Sequence, residues 1–71
     1  MADSVYRVTE LIGTSTQSWE AAAKHAIETA AKSLRELRVA EVVEQDVTTD
    51  EGKVTSYRVK LNVSFKYEPE K

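Results

Sequence analysis

The sequence predicts an α+β fold of order β-α-β-β, a three-stranded antiparallel sheet packed on one helix, and three observations carry the prediction. From Thr55 to Tyr67 the residues Thr55, Tyr57, Val59, Leu61, Val63, Phe65 and Tyr67 alternate with Ser56, Arg58, Lys60, Asn62, Ser64 and Lys66, the period of a strand with one apolar and one wet face. Trp19, Ala22, Ala23, Ala26, Ile27, Ala30, Leu34 and Leu37 follow the three-and-four spacing of one buried helical stripe. Two further β-rich runs, Ser4 to Ile12 and Val39 to Val47, flank that stripe, and Thr49 to Lys53 (TDEGK) supplies a turn.

The first run, SVYRVTELI, reads as a strand with Tyr6, Val8 and Ile12 on one side and Arg7 and Thr9 on the other. Gly13 breaks it, and Thr14, Ser15 and Thr16 follow with oxygens able to cap a helix start. Ser15 is placed as the N-cap, with Ser18 as the alternative. The helix then runs to about Leu37, roughly 20 residues or near 30 Å. Glu20 with Lys24 and Glu28 with Lys32 form four-apart pairs on its wet side. A stripe made mostly of alanine lets the helix approach a sheet closely, with Trp19, Ile27 and Leu34 supplying most of the packed volume.

The second strand, VAEVVEQDV, carries valines on both sides, which predicts cover on both, one by the helix and one by a neighbour. Gly52 can take the positive φ of a hairpin turn, so the second and third strands pair as a long antiparallel hairpin. The last strand spans roughly 40 Å, longer than the helix, and the overhang predicts contact with other subunits. Glu68 to Lys71 is a polar tail in which Pro69 ends the ladder. No repeat or linker interrupts residues 1–71, which read as one domain.

A chain of 71 residues buries only about 60% of its unfolded surface, and such a core rarely supplies more than about 3–5 kcal/mol, so outside support is expected. It contains no cysteine, which excludes disulfides and thiolate zinc sites. Ten basic residues against twelve acidic leave no electrostatic footprint for nucleic acid. No apolar run reaches the roughly 20 residues of a membrane span, and the start lacks a signal-peptide pattern. The expectation is a soluble, cytoplasmic protein.

No nucleophile, base or phosphate-cradling loop stands at recognisable spacing, so no enzyme is expected. Gly13 to Ser15 could offer amides to an anion, but a turn and cap explain them more simply. His25 is a lone histidine without partners for a metal or a proton relay, and reads as a surface or subunit-contact residue. Trp19 could stack on a flat ligand, yet its place in the stripe makes core packing the better reading. Arg7, Arg58, Lys60 and Lys66 lie among wet positions where cations could hold phosphate; a solvated face or salt bridges between subunits are the plainer alternatives. Glu41, Glu44 and Asp46 are candidate oxygen ligands for calcium or magnesium, without the loop spacing of an EF-hand. In an oligomer, copies of one carboxylate can converge on a symmetry axis.

The segments VYRVTELIGTSTQSWEAAAKHAI, SLREL, AEVVEQ and YRVKLNVSF together resemble the dodecins over essentially the whole chain. The resemblance implies a β-α-β-β subunit whose sheet wraps the helix, assembled as a hollow homododecamer of tetrahedral symmetry. It also implies binding and storage of flavins such as riboflavin, lumichrome or FMN, or of coenzyme A, without catalysis. Flavin-binding dodecins carry a tryptophan at the start of strand two, which sandwiches paired flavins, and a glutamine on strand three that bonds the ring edge. Val39 and Arg58 stand at those positions here, and the missing ring removes roughly 1–3 kcal/mol of stacking. RVAEVVEQDV with SYRVKLNVSFK looks closest to the calcium dodecins, which lack that tryptophan. The resulting expectation is a small-ligand or ion storage shell with an altered flavin pocket, with Arg7 and Lys66 as candidate phosphate contacts. The alternatives are a flavin store in which Arg58 replaces the lost contacts, and a structural oligomer without a ligand.

Overall fold

The computed structural model describes residues 4–66. Within them the chain forms β1 (Tyr6–Ser15), α1 (Trp19–Ala30), β2 (Leu37–Asp50) and β3 (Lys53–Lys66), the predicted order. The three strands make one antiparallel sheet in the order β1-β3-β2, so the strictly alternating strand is the central one. Tyr67 and the tail Glu68 to Lys71, with Pro69, lie outside the described residues.

The alternation of β3 sorts its side chains as expected. Val59, Leu61 and Val63 are each 1% exposed and form the core with Ala22 at 0%. Leu11, Ala23, Ala26, Ile27 and Leu37 pack around them. Fully burying a Val or Leu is worth about 1.5–3 kcal/mol, and among the described residues three such side chains reach that state.

Three details of the first half differ from the sequence reading. Gly13 does not end β1 but sits inside it opposite Val59. A Cβ there would lie 2.3 Å from the Ala22 carbonyl oxygen and 2.8 Å from the Ala26 Cβ, so glycine is the residue that lets helix and sheet close to contact. The face of β1 that meets the helix carries Thr9, Leu11 and Gly13, opposite the buried Val63, Leu61 and Val59. Tyr6, Val8 and Ile12, the more apolar side, remain 47%, 61% and 56% exposed. Finally, the helix is capped by Ser18 and not Ser15. The Ser18 hydroxyl accepts the Ala21 N–H at 3.0 Å, whereas the Ser15 hydroxyl accepts the Gln17 N–H at 2.9 Å in the connecting bend.

The helix is also shorter than its apolar period. It stops at Ala30, whose carbonyl accepts the Ser33 N–H at 3.0 Å and the Leu34 N–H at 2.8 Å. The Ser33 hydroxyl approaches the same oxygen at 3.4 Å. Glu36 then takes φ 60, turning the chain so that the Lys66 N–H reaches the Glu36 carbonyl at 3.1 Å. Leu37 consequently enters the core from β2 and not from the helix.

Twelve residues give a helix of about 18 Å, whereas the 14 residues of β3 span about 46 Å. The helix lies chiefly against β1 and β3 and leaves most of β2 exposed, so it shields one face of that strand less fully than expected. Val39, Val42, Val43 and Val47 are 36–61% exposed. Register shifts between Leu37 and Val39, Val42 and Glu44, and Thr48 and Thr49 bend the hairpin in the manner of β-bulges. At its end Glu51 and Gly52 have φ 50 and 78, the two positive values of a type I′ turn. The Cα radius of gyration is 14.8 Å, against about 11 Å for a compact chain of this length.

Candidate ligand face of the sheet

Both outer strands pair with β3, so each outward residue of β3 fixes a row of three side chains across the face opposite the helix. The rows are Val8, Ser64 and Val39; Glu10, Asn62 and Glu41; Ile12, Lys60 and Glu44; and Thr14, Arg58 and Asp46. The shift between Val42 and Glu44 keeps the acids of β2 on this face while Val42 stays with Leu61 on the other. The face is thus apolar and hydroxylic at one end and densely charged at the other.

Arg58 donates from Nε to Asp46 Oδ1 and from Nη2 to Asp46 Oδ2, each at 2.8 Å, the parallel fork of a bidentate pair. That hydrogen bonding, with the nearby positive charges of Arg58 and Lys60, holds the Asp46 carboxyl below the usual carboxylate range against a smaller opposing effect of desolvation. The same partnership raises Arg58. Lys60 Nζ lies 3.6 Å from Glu44 Oε1 and 3.9 Å from Glu10 Oε2, joining both edge strands to the centre. Glu10 escaped the sequence reading because only the register sets it beside Asn62 and within reach of Lys60. Its even position in β1 is the signal that could have found it.

Trp19 fixes this charged end to the helix. Its indole N–H donates to the Asp46 carbonyl at 3.0 Å, and its ring meets Tyr57 edge-on at 5.2 Å and 78°. It is 37% exposed, so it packs as a bracket at the core's margin and not as a core residue.

The other candidates are dispersed. Val39 stands opposite Ser64 and Arg58 stands six residues further along β3, about 20 Å away. Lys66 pairs with Tyr6 on the outward face, whereas Arg7 lies beside Phe65 on the helix side with its guanidinium 5.6 Å from the ring centre, a cation–π distance. Arg7 and Lys66 therefore point away from a common phosphate within one chain. Glu41, Glu44 and Asp46 occupy successive rows, and no three Asp, Glu, His or Cys side chains gather among the described residues. The amide-nest alternative at Gly13 to Ser15 is replaced by strand pairing with Val59, Arg58 and Tyr57.

Two of the grooves beside the helix bear on what could cover it. One of about 350 Å³ runs between α1 and β1 and includes His25, Thr14 and Thr29; His25 is exposed there, as predicted. The other follows the uncovered side of β2, with about 340 Å³ bounded by Ala23, Ile27, Ala40, Val42 and Leu61. It is chiefly apolar, the character of a subunit contact.

Comparison with known proteins gives a consistent picture. The dodecin family model matches residues 5–68. A calcium dodecin of Mycobacterium tuberculosis is 50% identical over 66 residues, 93% of each chain. A dodecin of Thermus thermophilus is 44% identical over 64 residues, covering 90% of this chain and 93% of the other. Among solved structures, the M. tuberculosis calcium dodecin, described as a calcium-chelating antigen with a novel calcium-binding site, superposes with a TM-score of 0.80 at 51% identity, covering 96% and 97% of the two chains. The dodecin of Streptomyces coelicolor superposes with a TM-score of 0.92 at 33% identity, covering 99% and 100%.

Proposed function

The chain belongs to the dodecin family, and from that premise we propose that it is a non-catalytic shell of many copies, a homododecamer, that binds and stores a small ligand or ion. The observation that carries the reading is the incomplete cover of the sheet. Tyr6, Val8 and Ile12 on β1 and Val39, Val42 and Val43 on β2 are each between 47% and 61% exposed, while among the described residues four form the buried core. Neighbouring copies supply the missing cover.

Calcium is the ligand this reading favours over flavin. The calcium dodecin of M. tuberculosis is half identical to this chain, and the outward face of β2 is carboxylate-rich. Val39 offers no ring for stacking, and the Arg58 guanidinium is already engaged by Asp46. Light scattering tests the assembly: a mass near twelve chains is expected, and a stable monomer or dimer contradicts it. Calorimetry with calcium chloride, riboflavin and coenzyme A tests the ligand. Heat with calcium alone is expected; tight riboflavin binding would restore the flavin-storage reading, and silence with all three would leave a structural oligomer.

A further inference from the structure

We propose that Asp46 is a specificity residue: its carboxylate occupies, from within the chain, the oxyanion position of a phosphate-type site built around Arg58 on the outward face of the sheet, and thereby keeps phosphate-bearing ligands off it. The proposal is independent of which ion or molecule the assembly stores.

The residue types of such a site stand together at the charged end. Arg58 projects from β3, the central strand, whose pairing with both neighbours holds its backbone. Lys60 follows two residues later on the same face, about 7 Å along the strand. Thr14 lies across the row from Arg58, and Ser56 and Thr48 form the next row with their hydroxyl oxygens 2.7 Å apart. A guanidinium, an ammonium and hydroxyls are the groups that recognise a tetrahedral oxyanion, the guanidinium through two parallel N–H bonds and the ammonium as a point charge.

The fork is already filled. Asp46 accepts from Arg58 Nε and Nη2 through separate oxygens, each at 2.8 Å, the arrangement that two oxygens of a phosphate would take. The Asp46 backbone is itself held, since its carbonyl accepts the Trp19 indole N–H at 3.0 Å, so the carboxylate meets Arg58 from a fixed position. Lys60 is likewise met by Glu44 at 3.6 Å and by Glu10 at 3.9 Å. An incoming phosphate must displace a resident anion that the chain itself supplies at high effective concentration, and must then stay beside it against like-charge repulsion. The Arg58 and Asp46 side chains are 43% and 48% exposed, so solution has access and the barrier is one of charge and not of shape. Such a barrier acts on phosphate groups and not on neutral ligands or cations.

Calorimetry with inorganic pyrophosphate, in calcium-free buffer of low ionic strength where exposed charges are least screened, tests this on the full-length protein. The wild type is expected to bind weakly, and Asp46→Asn at least about tenfold more tightly. Asparagine keeps the backbone carbonyl that Trp19 uses; circular dichroism and light scattering check that fold and mass match the wild type, and Asp46→Ser is the second variant if they do not. Glu51→Gln removes the same charge at the hairpin tip and should leave binding at the wild-type level. Arg58→Lys added to Asp46→Asn keeps the charge but not the fork, and should abolish the gain. Wild-type binding as tight as that of Asp46→Asn, no gain in Asp46→Asn, an equal gain in Glu51→Gln, or a gain that survives Arg58→Lys would each overturn the proposal.

Discussion

At the scale of single residues, the chain uses its two glycines for different physical reasons. Gly13 supplies space: any Cβ meets the helix backbone at 2.3 Å, so Gly13→Ala should cost about 1–3 kcal/mol as overpacking does, read as a lower urea midpoint. Gly52 supplies conformation: nothing lies within 4 Å of its Cβ position, but its φ is 78. Gly52→Ala should therefore destabilise by about 1 kcal/mol through backbone strain alone. The Asp46 carboxyl gives a pH test. Its pKa is lowered in the folded chain, so the native state binds fewer protons than the unfolded one in the acid range. The stability it contributes is present above the unfolded value of about 3.9 and is lost as pH falls through the lower folded value. The melting-temperature gap between wild type and Asp46→Asn should narrow on acidification below that value; a gap that is constant with pH would show that the fork contributes nothing through this titration.

At the scale of elements, period-two patterning made β3 legible because its central position buries Val59, Leu61 and Val63 and leaves the residues between them half-exposed on the other face. The turn was legible because Gly52 marks it. The helix was harder, since Leu34 and Leu37 continue its apolar period although the last turn is closed by several donors on the Ala30 carbonyl. Periodicity carries no information about that competition. The Ser18 cap was available in the sequence, but three preceding hydroxyl residues offered rival starts. Ser18→Ala should cost about 0.5–2 kcal/mol, whereas Ser15→Ala should have a much smaller effect, because the Ser15 hydroxyl serves only the exposed bend. Urea denaturation of the two variants side by side checks the assignment. The candidate face was the least legible part. Its acids and cations can be named from the alternation, but which carboxylate meets which cation depends on the register of both edge strands, including the shift between Thr48 and Thr49 in the hairpin, which no local propensity announces. Arg7 was misplaced because only pairing with Phe65 assigns it to the helix side.

At the scale of the whole molecule, a helix of about 18 Å cannot protect a hairpin more than twice as long, and the exposed valines are the surface that the proposed assembly would cover. Val8→Asp and Val42→Asp, on opposite faces of the sheet, should each reduce the assembled mass in light scattering, whereas Glu51→Asn at the hairpin tip should leave it unchanged. The bracket formed by Trp19 also makes the molecule its own optical instrument. The chain has one tryptophan, and its indole bonds to the backbone of the residue whose carboxylate grips Arg58. Its emission should therefore respond to any event that moves the charged end of the sheet or covers the neighbouring groove. The proposed subunit association and ion uptake can then be tested in time on the unlabelled protein.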